Sequence, residues 1–90
     1  MTMLQNGQTV VVDLGQQAVL SVRNMAAVPV YVYVDWQTPD GRWSAISGQV
    51  RLAPGALYAR TRTELGHEHV RVGTQVVQGE APGYLVEVSP

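Results

Sequence analysis

The residues best placed to do chemistry are His67-Glu68-His69. On a strand, side chains two apart point to the same face, so both imidazoles can address one point while Glu68 turns away. A zinc-type site needs at least a third protein ligand. The nearest by sequence is Glu64, which lies beyond a turn expected at Leu65-Gly66. Without that ligand, His67 and His69 read as solvated or interfacial residues of an outer sheet face. Packed at an interface, they would make assembly sensitive to mildly acidic pH. Nucleophilic catalysis has less to build on. The chain has no Cys, and its Ser and Thr lie in polar alternation rather than beside an oriented base. Asp13, Asp35, Asp40, Glu64, Glu68, Glu80 and Glu87 are scattered through strands and turns as ordinary surface charge. No catalytic residue, no metal and no cofactor is expected.

The His-x-His spacing resembles the opening of the metal motif of the cupin family, whose β architecture is similar. In that family a Glu follows within a few residues and a further His lies downstream. Here the corresponding stretch is Arg71-Val72-Gly73-Thr74 and there is no third His. The pattern departs at both points, and no cupin function is carried over.

A second group has the chemistry of binding. Tyr31, Tyr33, Arg51, Tyr58, Arg60 and Arg62 are expected to point outward as an aromatic and basic face. Aromatics with positive charge can stack on single-stranded nucleic acid, but phosphate contacts supply most of that affinity, and the net charge is −1. Nucleic acid is therefore not expected. Aromatics can also stack on sugar rings. The reading favoured here is a protein interface, because Tyr and Arg are enriched at binding hot spots.

These side chains must be held by strands. Val recurs in alternating runs, the period-two mark of half-buried strands. Val10, Val12 and Leu14 share a face, as do Ala18, Leu20 and Val22, with Gly15-Gln16 as a tight turn between the runs. The clearest strand is Val30 to Trp36, with Val30, Val32, Val34 and Trp36 on one side and Tyr31, Tyr33 and Asp35 on the other. Asp40-Gly41 is a strong hairpin signal. A two-residue loop there sets Thr38 opposite Trp43 and brings Trp43 to the face of Trp36, so both Trp are expected to plug one end of the core. Pro54-Gly55 favours a type II turn, which joins either a hairpin or an arch between sheets. In a hairpin, Leu52 meets Leu57 inside, and Arg51 meets Tyr58 outside. Val70, Val72 and Val76 share a face, and Tyr84 to Val88 is the last strand.

About six to eight short strands with turn signals every 8–12 residues indicate an all-β domain. It is an antiparallel β-sandwich, immunoglobulin-like or jelly-roll-like, or a small barrel, without significant helix and formed as one unit over 1–90. Charged residues are only 14% of the 90, and every basic residue other than the two His is Arg, since Lys is absent. Arg is enriched and Lys depleted at protein interfaces. Lys also guards sheet edges against pairing with other chains. A GC-rich genome would give the same Arg bias. The stretch Met1 to Gly7 does not read as a signal peptide, and no apolar run approaches the ~20 residues of a membrane helix, so no membrane role is expected.

The stretches Gly7-Gln8-Thr9-Val10-Val11-Val12, Val28-Pro29-Val30-Tyr31-Val32 and Leu52-Ala53-Pro54-Gly55 resemble the small β-sandwich proteins of tailed-bacteriophage virions, such as capsid decoration proteins and tail or fibre modules. Immunoglobulin-like modules share this style. The resemblance implies a structural protein that binds at subunit junctions of a shell, with protein partners and a homo-oligomeric or larger assembly. The alternative expectations are a small carbohydrate- or ligand-binding module and, behind it, metal binding at His67 and His69.

Overall fold

The structure is a computed structural model that describes all residues, Met1–Pro90. The eight strands are β1 (Thr2–Gln5), β2 (Thr9–Asp13), β3 (Val19–Asn24), β4 (Val30–Gln37), β5 (Trp43–Leu52), β6 (Leu57–Thr61), β7 (His69–Val76) and β8 (Tyr84–Ser89), with a single helical turn, α1 (Arg62–Leu65), before β7. They form two four-stranded sheets, in the orders β1-β8-β3-β6 and β2-β7-β4-β5. All pairings are antiparallel.

Only β4 and β5 are consecutive neighbours in one sheet; every other connection crosses between sheets. This double Greek-key path is that of a jelly roll. It resolves the expected choice between barrel and sandwich in favour of the sandwich. The expected tight turn at Gly15-Gln16 is present, with Ala18 N–H bonding the Gly15 carbonyl at 3.0 Å, but it lies in an arch between sheets, as does Pro54-Gly55.

The alternating Val residues build the core as expected. Leu20, Val22, Val30, Val32, Val34, Val70, Val72, Leu85 and Val86 are fully buried between the sheets. Such burial contributes roughly 25 cal/mol for each Å² of apolar surface removed from water. Two polar side chains are buried with them, and both are satisfied. Asn24 donates from Nδ2 to the carbonyls of Val28 and Leu52, and its Oδ1 accepts from Ala26 N–H. Its backbone also bonds Ala56 and Gly55. One side chain thus ties the β3–β4 loop to the β5–β6 arch, where the chain passes between sheets. Thr74 Oγ1 donates to the carbonyl of Tyr31 at 2.9 Å.

Two local features depart from the sequence reading. Thr2–Gln5, which has no strong alternation, is a strand because β8 offers it a ladder. Arg62–Leu65 is a helical turn rather than an extension of the preceding strand. Thr61 accepts from Glu64 N–H, Glu64 accepts from Thr61 N–H, and Gly66 closes the turn at φ 75°. That reciprocal pair is a capping box, legible as Thr61-x-x-Glu64. At Pro54-Gly55 the expected turn chemistry holds: Gly55 has φ 79°, and Ala56 N–H bonds Ala53 carbonyl at 3.0 Å.

Candidate interaction face

The outer face of the β2-β7-β4-β5 sheet carries the largest group of polar-aromatic side chains. The register sets their neighbours: Tyr31 lies between Arg51 and Gln75, Tyr33 beside Gly73, Asp35 beside Arg71, and His69 beside Asp13. Trp43 joins them through the β4–β5 hairpin. A two-residue loop was expected there, but the loop has three residues, because Thr38 N–H bonds the Arg42 carbonyl and Gly41 N–H bonds the Thr38 carbonyl. Pro39 has the fixed φ that suits the second position of a type I turn. Gly41, at φ 87°, takes the left-handed position after it, the usual three-residue hairpin. Trp43 therefore pairs with Gln37 rather than Thr38. A one-residue slip sends every side chain to the other face. Trp43 is thus outside, on the opposite side from Trp36, and neither belongs to the core cluster. The expected core plug is not formed.

The two Trp instead pack on the two His. Trp36 stacks on His67 with ring centroids 4.3 Å apart and planes within 8°. Trp43 stacks on His69 at 6.0 Å, and the Arg71 guanidinium lies 4.8 Å from the Trp43 ring centroid. Arg71 also donates to Asp35 at 3.0 Å, and His69 Nδ1 lies 2.5 Å from the Asp13 carboxylate. A continuous chain of contacts therefore runs Asp13, His69, Trp43, Arg71, Asp35. Arg71 and Asp35 pair their charges within the face, and Asp35 is only 14% exposed. Cation–π contact of this kind is worth about 0.5–2 kcal/mol.

Tyr33 occupies the next row. A Cβ on Gly73 would fall 2.2 Å from Tyr33 Cε2 and 2.5 Å from Cζ, so the ring lies broadside across the Gly73 backbone. Glycine in a central strand commonly marks such a close approach.

The expected aromatic and basic face is only partly assembled. Tyr31, Tyr33 and Arg51 do share the outer face. Tyr58 does not: it is 5% exposed and part of the core, opposite Val22 on β3. The arch at Pro54-Gly55 carries β6 to the other sheet, so the facing deduced from a hairpin does not apply. Arg60 reaches over the Tyr58 ring at 4.5 Å at the sandwich margin, and Arg62 lies on α1, 3.9 Å from Glu68. His67 and His69 stack on different Trp, and no third His, Cys, Asp or Glu joins them to form a metal-ligating group.

Sequence reading missed Trp43, Arg71 and Asp13 as members of the face. Arg71 and Asp13 lie on outward positions of their strands, but their partners are set by pairing with distant strands. The opposite outer face, of β1-β8-β3-β6, holds a shallow depression of about 220 Å³ lined by Ser21, Arg23, Leu57, Glu87 and Ser89.

The fold and this face define an all-β, jelly-roll sandwich with an aromatic, charge-paired outer sheet. No protein-family model matches the chain, and neither curated proteins nor solved structures give a match.

Proposed function

We propose that the chain is a non-enzymatic structural and interaction protein that engages a protein partner through the outer face of the β2-β7-β4-β5 sheet. The observation that carries this reading is the cluster of Tyr31, Tyr33, Trp43, Arg51 and Arg71 on one face. Trp, Tyr and Arg are the residue types that dominate binding energy at protein interfaces. Pairing the charges within the face, as in Arg71–Asp35, lowers the cost of desolvating them on association. The setting we infer is a virion assembly, with capsid or other virion subunits as partners. Its support is the resemblance in style to phage decoration proteins and the use of jelly rolls in viral capsid domains, a fold-level analogy.

A site-specific photocrosslinker tests this. Placed at Tyr33 or Trp43 in particles assembled with the protein, it is expected to capture one virion subunit; placed at Ser21 or Ser89, on the opposite face, it captures none. Equal capture from both faces, or capture only from the Ser positions, overturns the reading.

A second reading rests on Tyr33. A ring held broadside to a sheet is a stacking platform for a sugar, which makes the alternative a carbohydrate-binding module. It predicts saturable glycan binding that Tyr33→Ala abolishes; a blank glycan array removes it.

A further inference from the structure

A sandwich of open sheets has four edges, and each must be guarded against pairing with another chain. Three of them are. β1 is four residues long, with a register break between Leu4 and Gln5, and its Gln5 N–H is capped by Gln8 Oε1 at 2.7 Å. β5 is broken by irregularities opposite Val32–Val34 and Val34–Asp35, which bend a strand away from flat pairing. On β6, the Arg60 guanidinium caps the Ala59 carbonyl at 2.7 Å, and the Glu64 carboxylate caps Thr61 N–H at 2.9 Å.

β2 has none of these devices. Its ladder with β7 runs without a break from Thr9↔Gly73 to Asp13↔His69. The bond from Leu14 N–H to the Glu68 carbonyl, 2.7 Å, fixes the parity of that ladder. In an antiparallel pair, hydrogen-bonded and non-bonded residues alternate, so Val10 and Val12 bond to β7. The N–H and C=O groups of Thr9, Val11 and Asp13 point away from it, toward the open edge. Val11, at the centre, is 47% exposed.

We propose that β2 is a self-association edge, pairing antiparallel with β2 of a second copy about a two-fold axis through Val11. The strand is self-complementary in that register. Val11 meets Val11 of the second copy, and Thr9 meets Asp13, so the open backbone groups bond reciprocally and no like charges face each other. Val10 meets Val12 on the inner face, where both are only partly buried against the core. An isologous contact of this kind closes as a dimer and joins the two β2-β7-β4-β5 sheets into one continuous sheet. A different occupant, a strand donated by another protein, would not need this symmetry.

Sedimentation velocity on the full chain, from ~10 µM to ~1 mM because a five-residue edge is a small interface, is the test. Wild type is expected to pass from monomer to dimer over this range. Val11→Lys places like charges across the axis and weakens the dimer at least about tenfold. Its thermal midpoint, measured on dilute monomer, stays at the wild-type value. An equimolar mixture of Val11→Lys and Val11→Glu restores a dimer, which shows that the lysine variant is folded and that the two positions face each other. Val19→Lys, an exposed site on the other sheet, leaves the dimer intact. A wild type that stays monomeric throughout, a Val11→Lys chain that dimerises like wild type, or a mixture that does not associate overturns the proposal. Photocrosslinking from Trp43 is independent of all these outcomes.

Discussion

The two outer faces of this sandwich cover the same core with the same number of strands, yet they are built differently. The β2-β7-β4-β5 face is filled: Tyr31, Tyr33, Trp43, Arg71 and His69 lie side by side, with Asp35 ion-paired to Arg71 and Asp13 in contact with the His69 ring. The β1-β8-β3-β6 face is hollow, with Ser21, Ala59 and Ser89 in its middle rows and Arg23 opposite Glu87 at the rim of the depression. The contrast teaches that the core fixes neither face. Each outward position is free to be large or small, and chemistry collects where long side chains are in register with one another.

That contrast can be broken at its root through Asn24, which serves both faces by tying the two inter-sheet loops together. Asn24→Ala leaves the buried carbonyl of Leu52 and the partly buried carbonyl of Val28 without their donor, at a cost of about 3 kcal/mol. Denaturant unfolding is expected to show this as the largest loss, with both faces lost in one transition.

A pair of arginines sharpens the difference. Arg71→Ala strands the nearly buried Asp35 and uncovers the Trp43 ring, and about 1–3 kcal/mol of stability is expected to go. Arg23→Ala, on the hollow face, is expected to change stability by no more than about 0.5 kcal/mol. Equal losses in the two variants would erase the distinction.

Gly73→Ala acts on the filled face with little effect on stability. The added methyl must displace the Tyr33 ring, costing about 1 kcal/mol, and the reduced freedom of the unfolded chain offsets much of this. The expected result is a near-normal melting midpoint with a large change in the Tyr33 ring resonances.

The smallest effect is acidic. The Thr61 N–H and hydroxyl hold the Glu64 carboxyl below its ordinary value of 4.5. The Thr38 hydroxyl, followed by Arg42 N–H, holds Asp40 below 3.8. Depressed folded-state values mean stability that is present above the ordinary values and lost as pH falls through the lower ones. A gentle decline in stability below about pH 4.5 is expected, and Glu64→Gln is expected to flatten it. Both carboxylates are exposed, which keeps the effect slight.

The local parts of this structure are written in the chain. Alternating Val residues name the core faces of β4 and β7, and alternating apolar positions name those of β2 and β3, because a strand shows opposite sides with a period of two whatever it pairs with. Pro and Gly mark the turns, since each restricts or frees φ independently of the rest of the fold. Tyr31, Tyr33 and Arg51 were placed outward on the same grounds. The relations between strands were settled elsewhere. Pro39 drew a third residue into the hairpin and put Trp43 on the opposite side from the one expected. An arch in place of a hairpin turned Tyr58 inward and separated it from Arg51. Asp13 and His69 are 56 residues apart in sequence, and Arg71 and Asp35 are 36 apart. No local preference encodes which distant strand a segment will lie beside. That is decided by the one arrangement of eight short strands that buries all their apolar faces at once, and it is this arrangement that assembles the face and leaves β2 open.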